Sequence, residues 1–239
     1  MSAAHPPLFG LETEYALAAA LDDGRVADRG AVVAALLEVA SRRLVHLQDG
    51  RASGIFVENG SRFYIDAGLH PEWCTPECLH PAEVVRYLKA GEAWLAEILD
   101  ETRAKLGLGT ATLFRVNVDY ANGATWGCHE SYLHRADPRL LAPQLIPHFV
   151  SRIVYTGAGG FEPWQGGLRF TLSPRARHIE HAVSDASTSD RGIYHTKMES
   201  LSRGYQRLHV LCGESLCSEL GSFLKIGATA LVEIGRAHV

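Results

Sequence analysis

The chain has 239 residues, 46% of them hydrophobic and 21% charged, with a net charge of -4 at pH 7 and a pI near 6.3. That is an ordinary globular balance, long enough for one large domain or two small ones, and its charge marks no nucleic-acid binder. No apolar run approaches the roughly 20 residues of a membrane span, and the opening MSAAHPPLFG has no basic segment leading into an apolar one, so no signal peptide is expected.

PLFGLETEYAL opens as a strand, with Phe9, Leu11 and Thr13 on one side and Gly10, Glu12 and Glu14 on the other. A polar turn, DDGRVADRG, leads to an amphipathic helix expected over 31–48. A glycine-containing link precedes a strand at 54–66, in which RFYID alternates strictly: Phe63 and Ile65 face one way, Arg62, Tyr64 and Asp66 the other. Pro81 suits the first position of a helix, which runs to Gly107 with Val84, Leu88, Gly91, Leu95 and Ile98 as its buried stripe. TLFRVNVDY reads as a third strand, with Phe114, Val116 and Val118 inside and Arg115, Asn117 and Asp119 outside. A loop then returns to a strand at HESYL, and a helix with Pro143 and Pro147 inside it spans 139–154. LRFTLSPRARHIE and YQRLHV read as strands, and GSFLKIGATALVE as a closing helix over 222–232. Strands with one buried face, alternating with helices, favour an α+β fold over a doubly wound parallel sheet. Its sheet is expected to be mainly antiparallel, with helices packed on one face.

The five cysteines are Cys74, Cys78, Cys128, Cys212 and Cys217. An odd number in a chain of this size suggests no disulfide framework and a reducing, cytoplasmic location. The spacings C-x3-C and C-x4-C read as small buried residues rather than a zinc cluster.

The polar strand faces collect Glu12, Glu14, Arg62, Tyr64, Asp66, Arg115, Asn117 and Asp119, with Glu72 six residues beyond Asp66. A lone glutamate in a strand is usually solvated, but several carboxylates on one face repel unless cations lie between them. Hard divalent cations with oxygen ligands do that, and magnesium normally arrives with a phosphate. His129 in CHESY and His209 in RLHV could add nitrogen ligands or phosphate donors. No GxxxxGK[ST] loop is present, so phosphates would be held by side chains and metal. These residues point to a sheet face that holds Mg-ATP.

GLETEY, ENGSRFYIDAGLHPEWCTPEC, NVDYANGATWGCHESY, LSPRARHIE and YQRLHVLCGES…SFLKIGATALV occur in this order. The set resembles the Pup ligase and Pup deamidase/depupylase family, over about residues 8–232. The resemblance implies a glutamine synthetase-like fold with a curved sheet, and a proteasome-linked function without membrane or nucleic acid. It implies Glu12, Tyr64 and Glu72 as magnesium-site residues and His129 and His209 beside a second metal and the phosphates. It further implies Arg62, Thr75 and Arg175 as nucleotide contacts and Asp66 as the catalytic aspartate. The implied reaction is ATP-dependent ligation of a small Pup-like modifier, through the side-chain carboxylate of its C-terminal glutamate, to lysines of target proteins.

About 43 residues lie between Tyr15 and Asn59, a ligase-like length; a depupylase hydrolysing the same linkage is the alternative. A small-molecule carboxylate–amine ligase fits the RFYIDAGLHPEW motif less well. Residues 194–204 depart from the family pattern by lacking an Asp and a His before LHV, which motivates a third alternative, a non-catalytic nucleotide- or modifier-binding homologue. Residues 1–232 read as an N-terminal catalytic domain without the family's smaller C-terminal domain, and 233–239 as a non-native tail.

Overall fold

A computed structural model describes residues 8–50, 53–136, 138–186, 190–197 and 204–236. The chain divides into two compact units. The first comprises Glu12–Pro76 and Arg86–Val116; the second comprises Met1–Leu11, Glu77–Val85 and Asn117–Val239. As expected, the fold is α+β and its strand pairing is mainly antiparallel. A parallel ladder joins two strands of the second unit, His181–Ser184 and Gly192–Lys197.

Strand β1 (Leu8–Glu14) buries Phe9, Leu11 and Thr13, and its last three residues open the first unit. The chain does not run straight on. Tyr15 is buried and donates its backbone N–H to the Pro71 carbonyl, 2.8 Å away. Beyond it Ala16–Leu21 forms a separate strand, β2. Helix α1 (Arg29–Arg43) starts on Asp28, whose carboxylate accepts from the Ala31 N–H at 2.6 Å. It ends five residues earlier than its periodicity suggested, because Leu44 is extended and His46–Gln48 form strand β3.

The single strand expected over 54–66 is a hairpin. Strands β4 (Gly54–Val57) and β5 (Arg62–Ile65) flank an Asn59-Gly60 turn, with Gly60 at φ 88°. PEWC, not anticipated as a strand, is β6 (Pro71–Cys74). Helix α2 spans Pro81–Leu106 with the expected stripe buried. Strand β7 (Leu108–Phe114) pairs with β2 and stops where a longer strand was expected. Phe114 is 45% exposed rather than inside, since Ala111 and Leu113, on the opposite phase, pack against the core. Asn117 and Asp119 lie beyond any strand; Asp119 belongs to a turn, where its carboxylate accepts from the Ala121 N–H at 2.8 Å.

Core residues of the first unit come from both helices and from the inward row of its strands: Leu36 and Val39 on α1, Leu95 and Ile98 on α2, and Ile55, Phe63 and Trp73. The indole of Trp73 fills the place a side chain at Gly91 would take; a Cβ there would overlap it. Glycine thus fixes how close β6 lies to α2.

The second unit carries β8 (Cys128–His134), α3 (Pro138–Ser151), α4 (Ile153–Thr156), β9 (Gly160–Trp164), β10 (Gly167–Thr171), β11 (His181–Ser184), β12 (Gly192–Lys197), β13 (Gln206–Val210) and α5 (Glu219–Arg236). Strands β9, β11 and β12 were not anticipated, and α5 runs four residues past its expected end. The altered segment falls mostly on residues 198–203, outside those described.

The strand order β11-β12-β13-β8 positions Glu130 and Tyr132 inward. There Glu130 takes two hydrogen bonds from Arg152, at 2.8 and 2.6 Å, and one from the Tyr132 hydroxyl at 2.7 Å. Arg152 also donates to Thr229 of α5 at 2.8 Å and to the Lys225 carbonyl at 3.2 Å. Lys225 in turn donates to the Glu214 carbonyl at 2.9 Å. Burial pushes the Glu130 carboxyl up, but the guanidinium outweighs it and holds the group below the usual range.

Removing one partner of such a pair strands a buried charge. Arg152→Leu alone should cost about 3–5 kcal/mol in urea unfolding, and adding Glu130→Leu should restore part of it. A loss under about 1 kcal/mol would be that of a solvated pair. Gly91→Ala should overpack the Trp73 contact and cost about 1–3 kcal/mol by the same measurement.

Candidate metal and catalytic site

The pleat of the first unit explains how its polar side chains meet. Glu12 lies opposite Cys74, and Cys74 opposite Arg62. Glu14 lies opposite Glu72, and Glu72 opposite Tyr64. Between these two rows runs Thr13–Trp73–Phe63–Ile55, which points into the core. Alternation therefore sends the flanking rows to the other face together. Opposite Tyr64 stands Gly54, where a Cβ would collide with the tyrosine's own Cβ. Arg62 lies over the Tyr64 ring at 3.9 Å and the Phe56 ring at 5.4 Å and pairs with the Asp49 carboxylate.

Asp66 continues the Arg62–Tyr64 face into the turn before β6. Its backbone N–H donates to the His70 carbonyl at 2.9 Å, and Leu69 takes a left-handed φ of 56° to close the turn. Ligand atoms of Glu14, Asp66 and Glu72 all lie within 4.8 Å of one another, as do those of Glu12, Glu72 and Cys74. Glu72 belongs to both sets and is 3% exposed. Its carboxyl is pushed well above the usual range, first by burial and then by the negative charge of Glu12, with Glu14 and Asp66 adding to it; only the Tyr64 hydroxyl, hydrogen-bonded to it, opposes this. The Tyr64 phenol is also pushed far up, by burial and by Cys74, Glu72 and Glu12. A site that penalises its own negative charge, with oxygen donors this close, fits a hard divalent cation. Glu12, Glu72 and Tyr64 are the residues expected there, and Glu14 joins them.

Two neighbours were passed over as site residues. His70 contacts the Glu14 carboxylate at 2.9 Å, and Cys74 sits on the polar row with its Sγ 3.8 Å from Glu12. Their signal was the period of two, counted back from Glu72 and forward to position 74. Thr75 is buried just after β6, its hydroxyl donating to the Pro76 carbonyl at 3.1 Å.

In the second unit His129 on β8 and His209 on β13 face each other with ring centroids 5.1 Å apart. Ser131, cross-strand from His209, reaches its Nδ1 at 3.3 Å. Arg175 has a different setting from the one expected of a nucleotide contact. It is 2% exposed, and its guanidinium donates to the Trp126 carbonyl and, at 3.1 Å, to the Leu211 carbonyl. That placement suits a brace for the loops around it. All five cysteines are free. Among the described residues no metal-capable group contains more than one cysteine, and no helix is long and apolar enough to cross a membrane.

The family described as Pup-ligase protein matches residues 7–233. Pup–protein ligases from Sanguibacter keddieii and Xylanimonas cellulosilytica are each 40% identical over 233 residues, covering 94% of this chain and 50% of theirs. A crystal structure of the complex between the prokaryotic ubiquitin-like protein Pup and its ligase PafA superposes with a TM-score of 0.81 at 30% identity, over 95% of this chain and 46% of that one. The Pup ligase PafA in complex with ADP gives 0.66 at 36% identity, over 76% and 42%. The chain thus spans about half the length of the relatives it matches.

The buried carboxylates make a stability prediction. Because the folded chain holds the Glu72 proton to higher pH than the unfolded chain does, ionising it as pH rises costs stability. Glu72→Gln should therefore raise the unfolding temperature of the metal-free protein at pH 8 by ~2–4 °C for each kcal/mol relieved. The gain should vanish below about pH 4, where the carboxyl is protonated in both states. Thermal unfolding of both proteins across pH checks this; a variant less stable at pH 8 would contradict it.

Proposed function

The chain belongs to the Pup-ligase family, and from that premise we propose that it serves ATP- and magnesium-dependent ligation of a small Pup-like modifier to lysines of target proteins. The bond would join the side-chain carboxylate of the modifier's C-terminal glutamate to the lysine amine. The observation that carries the proposal is the pair of polar rows, which gathers Glu12, Glu14, Tyr64 and Glu72 on one face with Asp66 at its end. A cytoplasmic, proteasome-linked setting belongs to the same reading.

Each residue then has a distinct part. Glu12 and Glu72, with the Tyr64 hydroxyl, hold magnesium; bound magnesium neutralises charge that builds on a transferred phosphoryl group. Arg62, fixed by Asp49 and the Tyr64 ring, and Thr75 contact the nucleotide. His129 and His209 serve a second metal or the phosphates. Asp66, on a turn at the strand end, takes the proton from the incoming amine. In the alternative hydrolytic direction, as in a depupylase, the same carboxylate would align a water.

Asp66 also lies among ligand atoms of Glu14 and Glu72, so its role has to be separated from metal binding. Conjugation of a Glu-ended modifier to a lysine-bearing protein, with ATP and magnesium, tests the reaction itself. Release of ammonia from a Gln-ended modifier without conjugation would favour the hydrolytic branch, and nucleotide binding without either reaction a non-catalytic homologue. Asp66→Asn should lower conjugation by about 10²–10⁴-fold while Mg-ATP affinity changes little. Glu12→Gln should weaken nucleotide affinity and turnover together. Titration of the variants with a fluorescent ATP analogue distinguishes them. If Asp66→Asn abolishes nucleotide binding as fully as Glu12→Gln, Asp66 is a ligand and the assigned role is wrong.

A further inference from the structure

Cys74 occupies a position that metal chemistry makes informative. It is directly cross-strand from both Glu12 and Arg62, in the middle of a polar row. Its Sγ lies 3.8 Å from the Glu12 carboxylate, and it shares a ligand-atom cluster with Glu12 and Glu72 in which every pair is within 4.8 Å. Neighbouring Trp73 is fully buried, so the pleat holds Cys74 on the acidic face. Cys78 differs: it is buried, but it belongs to no metal-capable group among the described residues. A cysteine that merely fills space would resemble Cys78.

We propose that Cys74 sets the metal preference of this site, giving Glu12, Glu72 and Cys74 an oxygen–oxygen–sulfur donor set that holds thiophilic divalent cations such as zinc in competition with magnesium. The inference rests on the metal reading above and deepens it. Magnesium is a hard ion that takes oxygen ligands and keeps several waters, so a thiol adds nothing to its binding. Zinc and cadmium bind thiolate strongly. On ligation the Cys74 S–H bond gives its proton to solvent and sulfur donates the electron pair; no oxidant or reductant is involved. The outcome is a site that works with magnesium and is blocked by zinc.

Cadmium alone is the probe, because a cadmium–thiolate bond absorbs in the near ultraviolet. Titrating the metal-free protein should develop a charge-transfer band that saturates at one cadmium per chain. Cys74→Ser, which keeps the side chain's size, should remove the band, while Cys217→Ser, at an exposed cysteine, should leave it. Zinc, added in competition, should displace cadmium, and its affinity should fall by at least ~10–100-fold in Cys74→Ser, the loss typical even of an outer-shell partner. Magnesium-dependent binding of a fluorescent ATP analogue should fall far less. A band that survives Cys74→Ser, or equal loss of zinc and magnesium affinity, overturns the proposal. If magnesium supports nucleotide binding but cadmium gives no band, only the role of Cys74 fails. If neither metal binds, the metal reading fails with it.

Discussion

The register of β1, β6 and β5 is the constraint on which the candidate site depends. One row, Thr13–Trp73–Phe63–Ile55, must enter the core, and the two rows beside it must then leave it. A slip of one residue would exchange the rows, placing carboxylates against α2 and an indole in water. The large apolar surface of Trp73 and its fit against Gly91 make that exchange costly. Packing on one face of the sheet therefore enforces electrostatic crowding on the other. The crowding is what makes the site receptive to a cation, so core and chemistry are two faces of the same pairing.

The second unit solves a related problem differently. Its strands also carry charge inward, at Glu130, but there the charge is met by protein groups: a bidentate guanidinium, a phenol and, through them, helix α5. Glu130 is held ionised and Glu72 is held back from ionising. Both carboxylates are buried; the difference lies in their neighbours, a cation in one case and other acids in the other. Because Glu130 is pinned inward, its neighbour His129 is presented on the opposite face of β8 beside His209.

Much of this was legible in the sequence because period two is a strong signal wherever one face is buried. RFYI and the opening LFGLETE showed both faces, and the stripe of α2 was read in full. Errors gathered where a local signal competed with a tertiary one. ALAAAL and HLQ carry no strand-like alternation, and they are strands because β7 and β4 offer them hydrogen-bond partners. The phase of β7 was misread because Phe114 looks like a core residue by type, yet Ala111 and Leu113 occupy the face that packs against the core. PEWC was hidden by its leading proline. Cys74 and His70 escaped because neither is an acid, although each stands in contact with one. Arg175 was named from the resemblance alone, and its hydrogen bonds to the Trp126 and Leu211 carbonyls are a setting that its position in the sequence does not signal.

Under the proposed ligation to lysine, the burial of Lys225 bears on which amines this chain would itself offer. The chain contains only Lys89, Lys105, Lys197 and Lys225, while arginine, whose guanidinium is no nucleophile at ordinary pH, supplies the rest of its 23 strong cations. Lys225 is 1% exposed with its amine turned onto a main-chain carbonyl, and Lys89 and Lys105 are each paired with a glutamate. Where the acceptor of the reaction is a lysine amine, a surface written in arginine keeps its positive charge and offers few acceptors of its own. On that reading, the scarcity of lysine in these 239 residues would work as self-exclusion, built into composition rather than into any one contact.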